Sequence, residues 1–126
     1  MTLAGAALQT IVCCSDLGRA RTFYRDALGL PLLAERFNGA VFAVGQGVLW
    51  VCPATDYAPG PRTVFGFEVP DIAAALADLA GRGLVPERID KFAHEPDGSV
   101  TAPDGSRVAW FRDPDGNMFS VVPQPA

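Results

Sequence analysis

Basic residues are few in this sequence and never form a run. Ten Lys and Arg stand against fourteen Asp and Glu in 126 residues, for a net charge of −4. With no Lys/Arg cluster along the chain, a nucleic-acid surface is excluded and nothing basic waits for phosphate. Long apolar runs are missing too. The longest, around Val41 to Val44 and Val48 to Cys52, are strand-sized and far short of the roughly 20 residues that span a bilayer, so no membrane partner is expected. Met1 to Gln9 lacks the positive start and apolar middle of a secretion signal, which makes the cytoplasm the expected location. His94 is the sole histidine. Cys13, Cys14 and Cys52 form neither an even disulfide framework nor a zinc spacing, and read as reduced thiols packing as small apolar groups.

What is present is ordinary globular material, 49% hydrophobic and 19% charged, with no signature of disorder and enough length for one domain with a real core. The stretch Val108 to Pro123 reads as a β-hairpin. Two β-favouring runs flank Asp113-Pro114-Asp115-Gly116-Asn117, where proline presets φ, Asp and Asn bond their own backbone, and glycine takes a positive φ. Turn chemistry explains both aspartates without assigning them acid and base roles. Arg112 beside them is placed to pair with Asp113 or Asp115, or to meet an anionic ligand.

The chain reads as one unit written twice. Leu8 to Cys14 is a strand; Asp16 caps a helix whose apolar stripe is Leu17, Ala20, Phe23, Tyr24, Ala27 and Leu28, ended by Gly29. Leu32 to Phe37, Ala40 to Val44 and Val48 to Cys52 follow as antiparallel strands separated by Asn38-Gly39 and Gly45-Gln46-Gly47. Pro53 to Pro61 is the clearest linker. The plan then restarts: strand Thr63 to Val69, helix from Asp71 with Ile72, Ala75, Leu76 and Leu79, short strand Val85 to Ile89, and the hairpin. Between those last two, Asp90 to Ser106 is long and polar, a loop of functional length. One module spans about 6–53, the linker about 54–62 and the second module about 63–123.

A doubled βαβββ unit carrying Ser15-Asp16-Leu17, Phe23-Tyr24-Arg25-Asp26, Leu28-Gly29-Leu30 and Phe111-Arg112-Asp113-Pro114-Asp115-Gly116-Asn117 resembles the vicinal oxygen chelate superfamily, which includes glyoxalase I, bleomycin-resistance proteins and extradiol dioxygenases. The resemblance covers nearly the whole chain. It implies an α+β fold of two tandem βαβββ modules with curved mixed sheets around a shared cleft, commonly in a homodimer. Catalytic members hold one divalent metal with ligands from the first and last strands of each module. Counted onto this chain, those positions are Gln9, Trp50, Val64 and Ser120. A catalytic divalent ion wants about three carboxylate, imidazole or thiolate ligands. This quartet offers an amide and a hydroxyl, so no metal and no other cofactor is expected.

Strand alternation puts Gln9, Ile11 and Cys13 on the cleft side and Thr10, Val12 and Cys14 under the helix. Val64, Gly66 and Glu68, then Met118, Ser120 and Val122, face the cleft by the same rule. With Trp50 as a stacking face and Phe42 and Trp110 as neighbours, the lining suits a small organic ligand. The expected binding residues are Gln9, Ile11, Phe42, Trp50, Val64, Trp110, Met118 and Ser120. For catalysis the candidates are Glu68, the one carboxylate on that side, and His94 in the long loop. Two functions follow: a metal-independent binder of an aromatic or antibiotic-like molecule, or a glyoxalase- or dioxygenase-type enzyme acting on a small organic substrate. A third, an accessory partner of another enzyme, is open at this stage.

Overall fold

The computed structural model describes residues 2–36 and 38–125. Two compact units divide the chain, the first ending at Ala58 and the second beginning at Pro59. Each holds a four-stranded mixed sheet.

In the first unit the elements are β1 (Gln9–Cys14), α1 (Leu17–Thr22), β2 (Leu32–Arg36), β3 (Gly39–Val44) and β4 (Gly47–Pro53), with sheet order β1-β4-β3-β2. The expected end of β2 at Phe37 lies outside the described residues. The first and last strands run parallel, which requires a crossover, and the helix supplies it. The Asp16 carboxylate accepts from the Arg19 backbone N–H at 3.1 Å and so opens α1. The helix does not continue as a plain α-helix to Leu28: Phe23–Ala27 is π-helical, with Leu28 N–H donating to the Phe23 carbonyl at 3.0 Å. Just before it, the Thr22 hydroxyl donates to the Gly18 carbonyl at 3.1 Å, a back-bond that competes with the regular ladder.

The second unit repeats this plan with β5 (Thr63–Val69), α2 (Ile72–Gly81), β6 (Val100–Thr101), β7 (Arg107–Arg112) and β8 (Met118–Pro123), in order β5-β8-β7-β6. Asp71 caps α2 through the Ala74 N–H at 3.1 Å, as Asp16 caps α1. The helical runs end at glycines with φ of 72° at Gly29 and 89° at Gly83, a left-handed geometry that side chains resist. Beyond the paired strands, Ala54 N–H reaches the Cys14 carbonyl and Gln124 N–H the Val69 carbonyl, both at 2.8 Å.

One expectation fails here. Val85 to Ile89 is not a strand: Pro86 has no N–H to give, and the segment reaches the sheet through Glu87 N–H to the Trp110 carbonyl at 2.7 Å. The fourth strand comes instead from the long polar segment, as β6 paired antiparallel to β7.

Candidate ligand-binding faces

Each sheet has one face packed under its helix, and the other face is more exposed at its edge strand β1 or β5 than at its centre, where Val41 and Met118 are buried. In the first unit, Val12 and Cys14 of β1, Leu49 and Val51 of β4, and Ala40 and Phe42 of β3 are buried. Alternation therefore holds for β1. Phe42, however, pairs with Leu49 rather than with Trp50, and its ring lies 6.0 Å from that of fully buried Tyr24. The expectation that it lines a ligand surface is corrected: the register turns it into the core.

On the open face, rows run across the strands through Gln9 and Val48, Ile11 and Trp50, and Cys13 and Cys52. Ile11 is 57% exposed, although such a side chain gains about 2 kcal/mol or more from full burial. The Trp50 indole N–H is buried, and among the described residues no acceptor reaches it. Such a donor costs about 1–3 kcal/mol while unsatisfied. Cys13, Cys14 and Cys52 are thiols, not disulfides. Burial pushes the Cys52 thiol above its usual range, and neighbouring Cys13 adds to this.

In the second unit the covered face is aromatic. Phe119 stacks on Phe65 at 5.3 Å and Phe111 at 5.7 Å and meets Phe67 edge-on at 5.8 Å, with Ile72 and Leu76 of α2 buried. The open face carries a row through Gly66, Ser120 and Trp110, and beside it Thr63, Met118 and Arg112. Val64 is 50% exposed, and Glu68 is exposed toward the strand's end. A Cβ on Gly66 would collide with Ser120 Oγ, so the glycine makes room for the hydroxyl.

Over Trp110 lies Phe92, near parallel to it with ring centroids 5.8 Å apart. The two rings sit in a cavity of about 470 Å³ whose lining includes Met118, Arg62, Arg88, Lys91 and Arg112. Cations absent as a run in sequence are thus gathered in space. Arg112 takes neither expected aspartate. It donates to Glu87 Oε1 at 3.0 Å and to the Gly116 carbonyl at 2.7 Å.

The long segment is held by side chains. Ile89 N–H donates to His94 Nε2 at 3.0 Å, so that nitrogen is unprotonated and Nδ1 donates to the Gly98 carbonyl at 2.7 Å. With both ring nitrogens engaged, His94 is a latch for the Phe92 loop, and the expectation of a free general base is corrected. Asp97 accepts from the Ser99 hydroxyl at 2.7 Å and backbone N–H at 3.0 Å and pairs with Arg107. The two Ser99 bonds, and Arg107 to a lesser degree, hold its carboxyl below the usual range. Ser106 does the same for Asp104.

The family model for the Glyoxalase/Bleomycin resistance protein/Dioxygenase superfamily matches residues 6–121. The chain belongs to this superfamily. No curated protein matches it in sequence. Among solved structures it is similar to lactoylglutathione lyase from Agrobacterium tumefaciens, at 22% identity and a TM-score of 0.69, covering 94% of this chain and 93% of that one. A glyoxalase/bleomycin resistance protein from Catenulispora acidiphila shares 22% identity at a TM-score of 0.73, over 94% and 98% of the two chains. The oxidase ChaP-H2 shares 24% at 0.69, over 94% and 93%. At these identities the likeness is one of fold.

Catalytic members of the superfamily usually hold a divalent metal, and the residues at the positions counted for it do not fit one. In the first unit the positions hold the amide of Gln9 and the indole of Trp50, and in the second the alkyl group of Val64 and the hydroxyl of Ser120. Among the described residues, no group of three or more His, Cys, Asp and Glu is placed to hold a metal ion. Sequence reasoning missed Arg62, Arg88, Lys91 and Phe92. Their only sequence signal is a basic and aromatic flavour around the linker's end and the start of the long segment.

Proposed function

We propose that this protein binds a small organic molecule on its open sheet faces without a metal, as a sequestering member of its superfamily. The observation that carries the reading is Trp50. Where the family implies a metal ligand, this chain places an indole whose buried N–H has no acceptor among the described residues. A ligand carbonyl or ether oxygen would satisfy that donor, and the ring would stack on an aromatic ligand. Ile11 beside it is apolar and more than half exposed, as a surface awaiting an apolar partner would be.

The test is titration with a panel of aromatic and antibiotic-like compounds, read by tryptophan fluorescence and calorimetry. Trp50→Ala should weaken binding by about 1–3 kcal/mol, roughly a factor of 5 to 150. Unchanged affinity in that variant overturns the assignment.

A second reading is an enzyme of glyoxalase or dioxygenase type, favoured by structural neighbours that bear the names lactoylglutathione lyase and oxidase. Metal analysis of the purified protein separates the two. Stoichiometric, tightly held divalent metal would overturn metal-free binding in favour of the enzyme. No thermal shift with nickel, zinc, manganese or ferrous ion supports binding alone.

A further inference from the structure

Four of the chain's ten Lys and Arg line one cavity of the second unit: Arg62, Arg88, Lys91 and Arg112. In a protein of net charge −4 this is a strong local reversal of sign. No Asp or Glu joins the lining. Arg112 is committed to Glu87 and the Gly116 carbonyl. Lys91 rests its ammonium 5.2 Å from the centre of the Phe92 ring. Among the described residues, no ion pair engages Arg62, Arg88 or Lys91, and Asp90 in the same loop is exposed and outside the lining. Two other cavities differ. One near β6 is lined by Glu95 and Asp97 together with Arg107, and one at the end of β4 contains Asp56 and no cation. Only the first of these three presents uncompensated positive charge.

Like charges brought together repel, and the repulsion is relieved when an anion enters. The rest of the lining narrows what that anion is. Phe92 and Trp110 lie within 10° of parallel, and Met118 and Ile89 add apolar surface. A bare inorganic anion would leave this surface in water. A polyanion would meet the chain's negative net charge outside the cavity. The volume of about 470 Å³ falls within the range of small-molecule sites.

The geometry points to a site for an aromatic anion, an aryl carboxylate, phosphate or sulfonate. The ring lies against the Phe92 and Trp110 pair, and the anionic group is neutralised by Arg62, Arg88 and Lys91. This deepens the small-molecule reading above and rests on it, because it takes the open face of the second sheet as the ligand face. Arginine is suited to the task, since its planar fork meets the oxygens of a carboxylate or phosphate in pairs.

The experiment is calorimetric titration of the intact protein with naphthoate, with its neutral isostere naphthamide, and with acetate. Naphthoate should bind at least about tenfold more tightly than either. In the double variant Arg62→Gln/Arg88→Gln that advantage over naphthamide should disappear. If the double variant does not fold, the unmodified protein decides through salt: naphthoate binding should weaken severalfold between about 0.05 and 0.5 M salt while naphthamide binding holds. Naphthoate and naphthamide of equal affinity overturn the anion site and leave the small-molecule reading standing. Acetate binding as tightly as naphthoate overturns the aromatic half of the site. If neither arene binds, the ligand-face reading falls and the anion site with it.

Discussion

Asn117 Nδ2 donates to Asp113 Oδ2 at 2.8 Å, and both side chains are buried. Asp113 Oδ1 meanwhile accepts the backbone N–H groups of Asp115 at 3.0 Å and Asn117 at 2.9 Å. The carboxylate is thus consumed in building the turn that feeds β8. Asp113→Ala should strip several buried donors of their partner and lower stability by about 1–3 kcal/mol, read as a reduced denaturation midpoint at unchanged m. A midpoint within error of the parent would mean the turn is held some other way.

Gly66 and Ser120 make a second test, because they face each other across β5 and β8. The methyl group of Gly66→Ala would fall on Ser120 Oγ, with the Ser120 carbonyl also close at 3.3 Å. The substitution should cost about 1–3 kcal/mol as overpacking. In a Ser120→Ala background the cost should shrink, since the colliding oxygen is gone. A double-mutant cycle with no coupling would refute the account.

Asp97 gives a pH dependence with a definite sign. Its folded pKa lies below the unfolded value because Ser99 and Arg107 favour the charged form. The stability it contributes is therefore present above the ordinary carboxylate range, near about 4, and lost as pH falls through the depressed folded value. Urea denaturation followed into acid should show that loss. Asp97→Asn should give a shallower acid limb with a lower plateau near neutrality, and an identical acid limb in the variant would remove Asp97 from the explanation. Asp97 is about one-third exposed, so solvent screening keeps the effect modest.

The fold was legible because its signals are local. Asp16 and Asp71 cap by their own side chains, Gly29 and Gly83 terminate by their own φ, and alternation in β1, and in β5 from Phe65 onward, sorts one face from the other without knowledge of any partner. What was not legible depends on neighbours. Phe42 cannot be assigned a face until β3 is in register with β4, since a shift of one residue reverses every side chain. Pro86, between the β-favouring Val85 and Ile89, has no donor to give, and that matters only once a sheet edge lies beside it. Arg62, Arg88 and Arg112 stand more than twenty residues apart in sequence, and only the folded second unit brings them to one cavity.

His94 governs the loop that shapes that cavity. Its Nε2 accepts from the Ile89 N–H, and three residues on from Ile89 the chain places Phe92 over Trp110. His94→Ala removes that acceptor and the donor to the Gly98 carbonyl, leaving two backbone groups to water. Hydrogen exchange at the Ile89 amide should then quicken by about tenfold or more, while amides of β5 keep their protection. A freed loop also holds Arg88, Lys91 and Phe92 less firmly, so the variant should bind naphthoate more weakly although no ligand contact has been deleted. Faster exchange with unchanged affinity would show that the latch serves the loop alone. Slow exchange at Ile89 would show that the histidine is not the latch.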